Sequence, residues 1–299
     1  MLEFCVLGSG SAGNSSLVRS GKTTILIDAG LSAKQLVIRM QEVGVNPDHL
    51  DGIVLTHEHG DHTRGIDVLC RKRKLAVYCN IRTREVLRPK VESEVSWRLF
   101  ESGDAFPVGD IRIQSFYIPH DAVEPMGFVF VNGAGRLGLL SDIGHVTTLV
   151  KDHLSGVDTL FVEANYDDLM LQNDTKRPWS TKQRISSRHG HLSNAQAAEL
   201  VSDIESETLH RVVLGHLSRD CNAPDVAIGA IRKTLEEQNR ADICVECAGQ
   251  NEVIPFQPVR KGGMSVPVKV AEEKEPVRPR VPAAPMSPWQ ASQQSLFEI

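Results

Sequence analysis

The sequence predicts an α+β fold of two β-sheets covered by helices, and three observations carry that expectation. Short apolar or alternating runs separated by Gly/Ser clusters dominate the first half and read as strands. The second half mixes such runs with segments of helical period. Polar residues of ligand type repeatedly follow the strand ends, which is the layout of a site on the rim of a sheet sandwich.

The elements follow in order. LEFCVLG, SSLVRS and TTILIDAG are strands. The loop GSGSAGNSS after the first resembles a phosphate loop, but it lacks a GK[ST] ending and leads into a strand. Helix N-termini hold phosphate, so the loop reads as a tight glycine turn. LSAKQLVIRMQEVG is an amphipathic helix with Leu36, Met40 and Val43 on one face and Gly44 as its stop. DGIVLT is a buried strand, and DHTRGIDVLCRKRK places Ile66, Leu69 and Cys70 at helical spacing. IRIQSFYI, GFVFVN, RLGLLSD, DTLFVEA, RVVLG and DICVE are further strands; NAQAAELVSDIES and PDVAIGAIRKTLEEQ are helices. No internal repeat is visible.

A chain of 299 residues, 41% hydrophobic, can bury a sizeable core, and its net charge of −5 argues against a general polyanion binder. No apolar stretch is long enough for a transmembrane helix. The N-terminus lacks a basic n-region, which favours the cytoplasm over export. Six cysteines are scattered, and the lone CVEC pair, Cys244 and Cys247, reads as packing thiols rather than a redox or zinc motif. Composition shifts near residue 259: six of the fifteen prolines fall in 259–299, beside the charged run AEEKEPVRPR. Such a segment cannot bury enough apolar surface to offset its ordering entropy, so 1–258 is the expected folded domain and 259–299 a disordered tail.

The strongest chemical signal is THEHGDH, which delivers His57, His59, Asp61 and His62 within six residues at a strand end. Alternate residues of an extended segment face the same way, so His57 and His59 can chelate one ion, and Asp61 and His62 can reach a second. Further ligand types stand just after strands: His120 in YIPHDA, Asp142 in GLLSDIG and His216 in VVLGHLSRD.

Together with Asp28 in LIDAG, this ordered set resembles the metallo-β-lactamase-fold hydrolases, across most of residues 1–258. GSGSAGNSS, PHDAVEPMGF, EANYD, GHLSNAQAA and LGHLSRD resemble the YycJ/WalJ-type branch, cytoplasmic proteins regarded as DNA exonucleases. The resemblance implies a four-layer αββα sandwich with two divalent metal ions at one edge. It implies that His57, His59 and His120 hold one ion, that Asp61, His62 and His216 hold the other, that Asp142 bridges them, and that Asp28 orients a ligand. Two cations lower the pKa of a shared water and steady both oxygens of a displacement, so no Ser or Cys nucleophile is needed. Imidazole-rich ligation suits zinc, and the carboxylates leave manganese or iron open. Glu163 and His191 resemble the pair that assists proton transfer in the tRNA 3′-processing nucleases of this fold, so the expected catalytic residues are Asp61, Asp142, Glu163 and His191.

Fold does not fix substrate. Residues 175–191 carry five Lys/Arg and no acid, giving Lys176, Arg177, Lys182, Arg184 and Arg188 as expected nucleic-acid contacts, with Trp179 to stack on a base. Residues 71–98 hold nine Lys/Arg against three Glu, a second basic patch. Only residues 143–215 separate Asp142 from His216, which leaves no room for a large inserted RNA-clamping domain. These features favour a DNA exonuclease. The competing readings are a cytoplasmic thioester or lactone hydrolase and a non-catalytic regulatory or scaffold protein. The chain ends QQSLFEI, and Gln293, Ser295, Leu296 and Phe297 resemble the Q-x-[SD]-L-F peptide by which bacterial repair proteins dock on the sliding clamp, the expected partner in replication or repair.

Overall fold

Largely apolar runs such as TLFVE and RVVLG are buried at every residue, so both of their faces are covered. The computed structural model describes residues 1–133 and 135–260. Gln293, Ser295, Leu296 and Phe297 lie outside the described residues.

The first sheet takes β1 (Glu3–Gly8), β2 (Ser15–Arg19), β3 (Thr24–Ile27), β4 (Gly52–Val54), β5 (Ala76–Cys79) and β6 (Ser96–Leu99). The second takes β7 (Ala105–Val108), β8 (Ile111–Tyr117), β9 (Met126–Asn132), β10 (Gly135–Leu140), β11 (Thr159–Glu163), β12 (Arg211–Gly215) and β13 (Cys244–Cys247). The last strand, β14 (Ile254–Pro258), returns beside β1, so the strand orders are β14-β1-β2-β3-β4-β5-β6 and β13-β12-β11-β10-β9-β8-β7. Each sheet starts antiparallel and finishes parallel, through β3-β4-β5-β6 in one and β10-β11-β12-β13 in the other. One pairing scheme is therefore used twice, although the sequence shows no repeat.

Among the described residues, four α-helices belong to the first half: α1 (Ala33–Glu42), α2 (Gly60–Thr63), α3 (Ile66–Lys72) and α4 (Ile81–Leu87). Five belong to the second: α5 (Thr148–Leu154), α6 (Asp168–Asn173), α7 (Trp179–Ile185), α8 (Asn194–Asp203) and α9 (Pro224–Glu237). Strand alternation sorts the apolar side chains into three layers. Phe4, Ile25 and Val54 meet Phe128, Leu139 and Val213 between the sheets. Leu36, Ile66 and Leu69 cover the outer face of the first sheet over Leu26 and Ile53. Leu154, Leu200 and Ile231 cover the second over Leu160 and Leu214. The architecture is the expected αββα sandwich.

The core runs one residue past the expected domain end. Val259 is fully buried, its N–H donates to Leu2 O at 2.9 Å, and its carbonyl accepts from Thr159 Oγ1 at 2.7 Å. All six cysteines are free thiols. Cys244 and Cys247 stand three apart on β13, which sends them to opposite faces and denies them a common ion.

Candidate metal centre

The parallel strands of both sheets deliver their C-terminal ends to one rim, the position where open sheets bind ligands. Asp28 follows β3, Asp142 follows β10 by two residues, and His216 follows β12. All three sit in the left-handed backbone region, with φ of +55°, +57° and +53°. An L-residue there costs about 1–2 kcal/mol, so three such turns at one rim are strain held by their surroundings, a mark of a functional site.

Ring orientation decides what the histidines can do. His57 Nδ1 lies 3.0 Å from Thr56 Oγ1, which itself donates to Asp28 Oδ2. His62 Nδ1 faces Asp28 Oδ2 at 2.7 Å, and His120 Nδ1 donates to Gly190 O at 2.9 Å. Each ring is thus held through Nδ1, the second-sphere arrangement that fixes tautomer and aim for a metal ligand. His57 Nε2 and His120 Nε2 are buried with no hydrogen-bond partner. Asp121 Oδ1 comes within 3.2 Å of His120 Nε2 but without hydrogen-bond geometry. Buried imidazole nitrogens with free lone pairs are expensive unless a cation takes them.

Ligand atoms of His57, His59 and His120 lie within 4.8 Å of one another, as do those of Asp61, His62 and His216. Asp142 stands between the two sets: Oδ2 is 3.0 Å from His62 Nε2, and Oδ1 is 2.9 Å from His216 Nδ1 and 4.0 Å from His120 Nε2. The donor set therefore fits divalent cations.

Protons stand in for cations in the metal-free protein. Burial opposes charge on His62, yet the Asp142 and Asp28 carboxylates outweigh it and push the imidazole up to about 10. His216 is likewise raised well above its ordinary range against burial, by Asp142, Asp61 and Glu163. Burial would raise Asp142, but His216 and His62 hold it well below the usual carboxylate range. His57 has too few acids beside it; burial and its histidine neighbours depress it well below normal.

Glu163 is fully buried and does more than the sequence suggested. Oε1 accepts from Ile143 N and Leu192 N at 2.8 and 2.9 Å, while Oε2 faces His191 Nδ1 at 3.1 Å and His216 Nδ1 at 3.2 Å. Against burial, those two histidines bring it down to about 2. His191 sits just before Ser193, whose capping box starts α8, and keeps one ring edge toward the site. The sequence reading missed Thr56, Asn14 and Asp121. Thr56 and Asp121 adjoin ligand histidines in the chain, a signal that was available. His145 instead turns Nδ1 to Arg188 O at 2.9 Å, and Cys221 packs with Tyr166 and Leu171; neither joins a ligand cluster among the described residues.

A family profile described as "Beta-lactamase superfamily domain" matches residues 23–217, which span Asp28 to His216. The chain belongs to the beta-lactamase superfamily. It is 37% identical over 240 residues, 79% of this chain and 90% of the relative, to "Exodeoxyribonuclease YycJ" of Bacillus anthracis. It is 36% identical over 230 residues, 75% and 85% of the two chains, to "Exodeoxyribonuclease WalJ" of Streptococcus pneumoniae. The crystal structure of the metallo-β-lactamase-fold protein YhfI of Bacillus subtilis covers 85% of this chain and 99% of its own with a TM-score of 0.66; at 17% identity that likeness concerns the fold alone. This superfamily member is a YycJ-type, metal-dependent hydrolase.

The superfamily member brings residues 175–191 to the metal rim, since Gly190 O holds His120 and Arg188 O holds His145. Its basic charge is partly spent there. Arg184 Nε donates to Asp121 at 2.7 Å, Arg177 pairs with Asp174 and Asp220 at 3.0 Å, Lys176 pairs with Asp220, and Lys182 donates to Gln172 O. Trp179 is 67% exposed at the start of α7. The fold also divides the second basic patch. Residues 71–74 precede β5 and so lie at the rim opposite the metals, where Arg73 pairs with Asp48; Arg82, after β5, lies on the metal side near Glu124. Among the described residues no helix is long and apolar enough to cross a membrane.

Proposed function

We propose that this chain is a dinuclear-metal phosphodiesterase that degrades DNA as an exonuclease. The observation that carries the reading is the 37% identity to an exodeoxyribonuclease over 79% of this chain and 90% of the relative. His57, His59 and His120 would hold one cation and Asp61, His62 and His216 the other, with Asp142 shared. Zinc suits this imidazole-rich set, with manganese or iron as alternatives. Such cations, when bound, supply an activated water at neutral pH and electrophilic stabilisation of phosphoryl oxygens.

The chain's own side chains do the rest. Asp28 and Thr56 fix the His57 and His62 rings. Glu163 accepts a hydrogen bond from His191 Nδ1, which leaves the opposite ring edge to deliver a proton to the leaving oxygen as general acid. Trp179 and the unpaired face of 175–191, Arg188 in particular, would guide a single strand to the rim. Recruitment to replication or repair would run through Gln293, Ser295, Leu296 and Phe297, whose apolar pair suits a pocket on the sliding clamp.

Metal-reconstituted protein should degrade end-labelled single- or double-stranded DNA in preference to RNA, and His59→Ala should not. Hydrolysis of RNA alone, or of a thioester with DNA untouched, would replace the reading. For recruitment, a 285–299 peptide should bind purified clamp at micromolar affinity, and Leu296→Ala with Phe297→Ala should abolish it, two buried anchors being worth about 2 kcal/mol each. No binding of full-length protein at tens of micromolar clamp would end the recruitment idea while leaving the nuclease reading intact.

A further inference from the structure

The loops around the candidate ligands are joined one to the next into a closed rim. Asn14 N, in the glycine loop, donates to Asp61 O at 2.8 Å. Glu58, between His57 and His59, accepts from Val123 N at 2.8 Å through Oε1, which ties the HEHGDH turn of the first sheet to the β8–β9 loop of the second. Asp121 of that loop accepts from Arg184 Nε of α7 at 2.7 Å. The rim runs on from α7: His191 N donates to Ile185 O at 2.8 Å, and Asn165 N donates to Leu192 O at 2.9 Å. Asn165 Nδ2 then donates to His216 O at 2.8 Å, and His216 N donates to Ser9 Oγ at 2.8 Å, back beside the glycine loop.

The links are unequal. Ser9, Asn14, Glu58 and Asn165 are buried. Of these links only Arg184–Asp121 is an ion pair between side chains open to water, 70% and 30% exposed. It is the outer of two ties between the β8–β9 loop and the excursion, because His120 Nδ1 donates to Gly190 O at 2.9 Å as the buried one. Losing the ion pair therefore lowers the rim on that side and leaves the floor in place. Five of the seven candidate ligands, His57, His62, His120, Asp142 and His216, are buried, so a phosphate must descend inside the rim to reach them. A strand end enters such a mouth once. A continuous strand must enter and leave by the same opening, which sets two runs of phosphates closer than the screening length of about 8–10 Å and makes them repel.

We infer that the closed rim admits DNA by a free strand end, and that Arg184 and Asp121 are the specificity-determining pair that keeps continuous strands out. The inference rests on the phosphodiesterase reading above. Zinc-loaded protein should be given one single-stranded DNA in three forms: linear, covalently circular, and linear with streptavidin on biotin at both ends. Wild type should consume the free linear strand and largely spare the other two. The ratio of circle nicking to linear digestion cancels any general change in DNA affinity. That ratio should rise about two- to fivefold in Arg184→Ala, the range that loss of an exposed ion pair allows. Asp121→Asn breaks the same link from the other side and should raise the ratio alike, whereas Arg184→Lys, which can keep the pair, should stay at the wild-type value. Metal content measured in parallel should be unchanged in Arg184→Ala. A wild type that cuts the circle as fast as the linear strand overturns the inference, and so does a ratio in Arg184→Ala that stays at the wild-type value. Bis(p-nitrophenyl) phosphate has no strand to thread, so its hydrolysis tests the phosphodiesterase reading alone. If it and every DNA form stay intact, that reading falls and this inference with it. If it is cleaved while circle and linear strand are cut alike, only the role of the closed rim is lost.

Discussion

Asp28 never needs to touch a cation to position two candidate ligands. Its carboxylate accepts from Thr56 N, Thr56 Oγ1 and His62 Nδ1, each at 2.7–2.8 Å, from a left-handed backbone position that aims it across the strand end. Asn in its place has one acceptor oxygen instead of two and brings a donor against the His62 N–H. Asp28→Asn should therefore cost about 10–100-fold in metal affinity, the usual range for such supporting groups, with the fold retained. Competition with a chelator measures it, and an unchanged affinity would mean Asp28 supports only the backbone. His62 leads to a second expectation. Its folded pKa of about 10 lies above the ordinary 6.5, so the paired imidazolium stabilises the metal-free fold fully below about 6.5, and the benefit is lost as pH rises through 10. A cation must expel that proton, so loading near pH 7–8 should release protons and apparent affinity should rise with pH. Calorimetry in two buffers of different ionisation enthalpy reads the release directly; buffer-independent heats would refute it.

At the scale of elements, the rim depends on close backbone approach and on one excursion between β11 and α8. A Cβ on Gly30 would lie 1.6 Å from Asp61 O, so the β3 end and the HGDH turn can touch only because residue 30 has no side chain. Gly30→Ala should destabilise by at least the roughly 1–3 kcal/mol of ordinary overpacking, because backbone rather than a flexible side chain must yield. Its urea midpoint should drop and its metal content with it. The excursion through α6 and α7 carries Trp179, exposed, and Arg188, for which no ion-pair partner stands among the described residues. Trp179→Ala should weaken single-stranded DNA binding by about 1–3 kcal/mol, the value of one stacked base. Arg188→Ala should flatten the salt dependence by about one phosphate contact. Arg184 is already neutralised by Asp121, so its removal should flatten the slope less. Equal slopes for all three proteins would place the DNA elsewhere.

Across the whole molecule, the candidate metal centre joins the two sheets. His57, His59, Asp61 and His62 come from the β4 end of one sheet, and His120, Asp142 and His216 from the β8, β10 and β12 ends of the other. Cations there would tie the halves together as well as perform chemistry. Seven candidate ligands exceed what one tetrahedral ion takes, so elemental analysis after loading should approach two metals per chain. Chelation should lower the melting temperature, since ligand at a thousand times its Kd contributes about 4 kcal/mol to the folded state. One metal per chain, unaffected by Asp61→Ala or His216→Ala, would exclude the second site.

The sequence by itself determined the candidate ligand types and their stations. THEHGDH is local, and Asp28, Asp142 and His216 each stand beside a recognisable apolar strand, so strand period alone brings them to strand ends. It likewise determined the four layers, because apolar runs buried on both faces demand helices outside and a second sheet inside. Tertiary structure alone decided which neighbours those residues meet. Asn14 reaches His62 across 48 positions, Glu163 serves His216 across 53 as well as His191 across 28, and Asp121 neutralises Arg184 across 63. Chain reversal sends residues 71–74 to the far rim, although they lie only nine positions from His62. Contacts of this kind depend on strand order, register and the packing of one sheet on the other, and no window of sequence contains both partners.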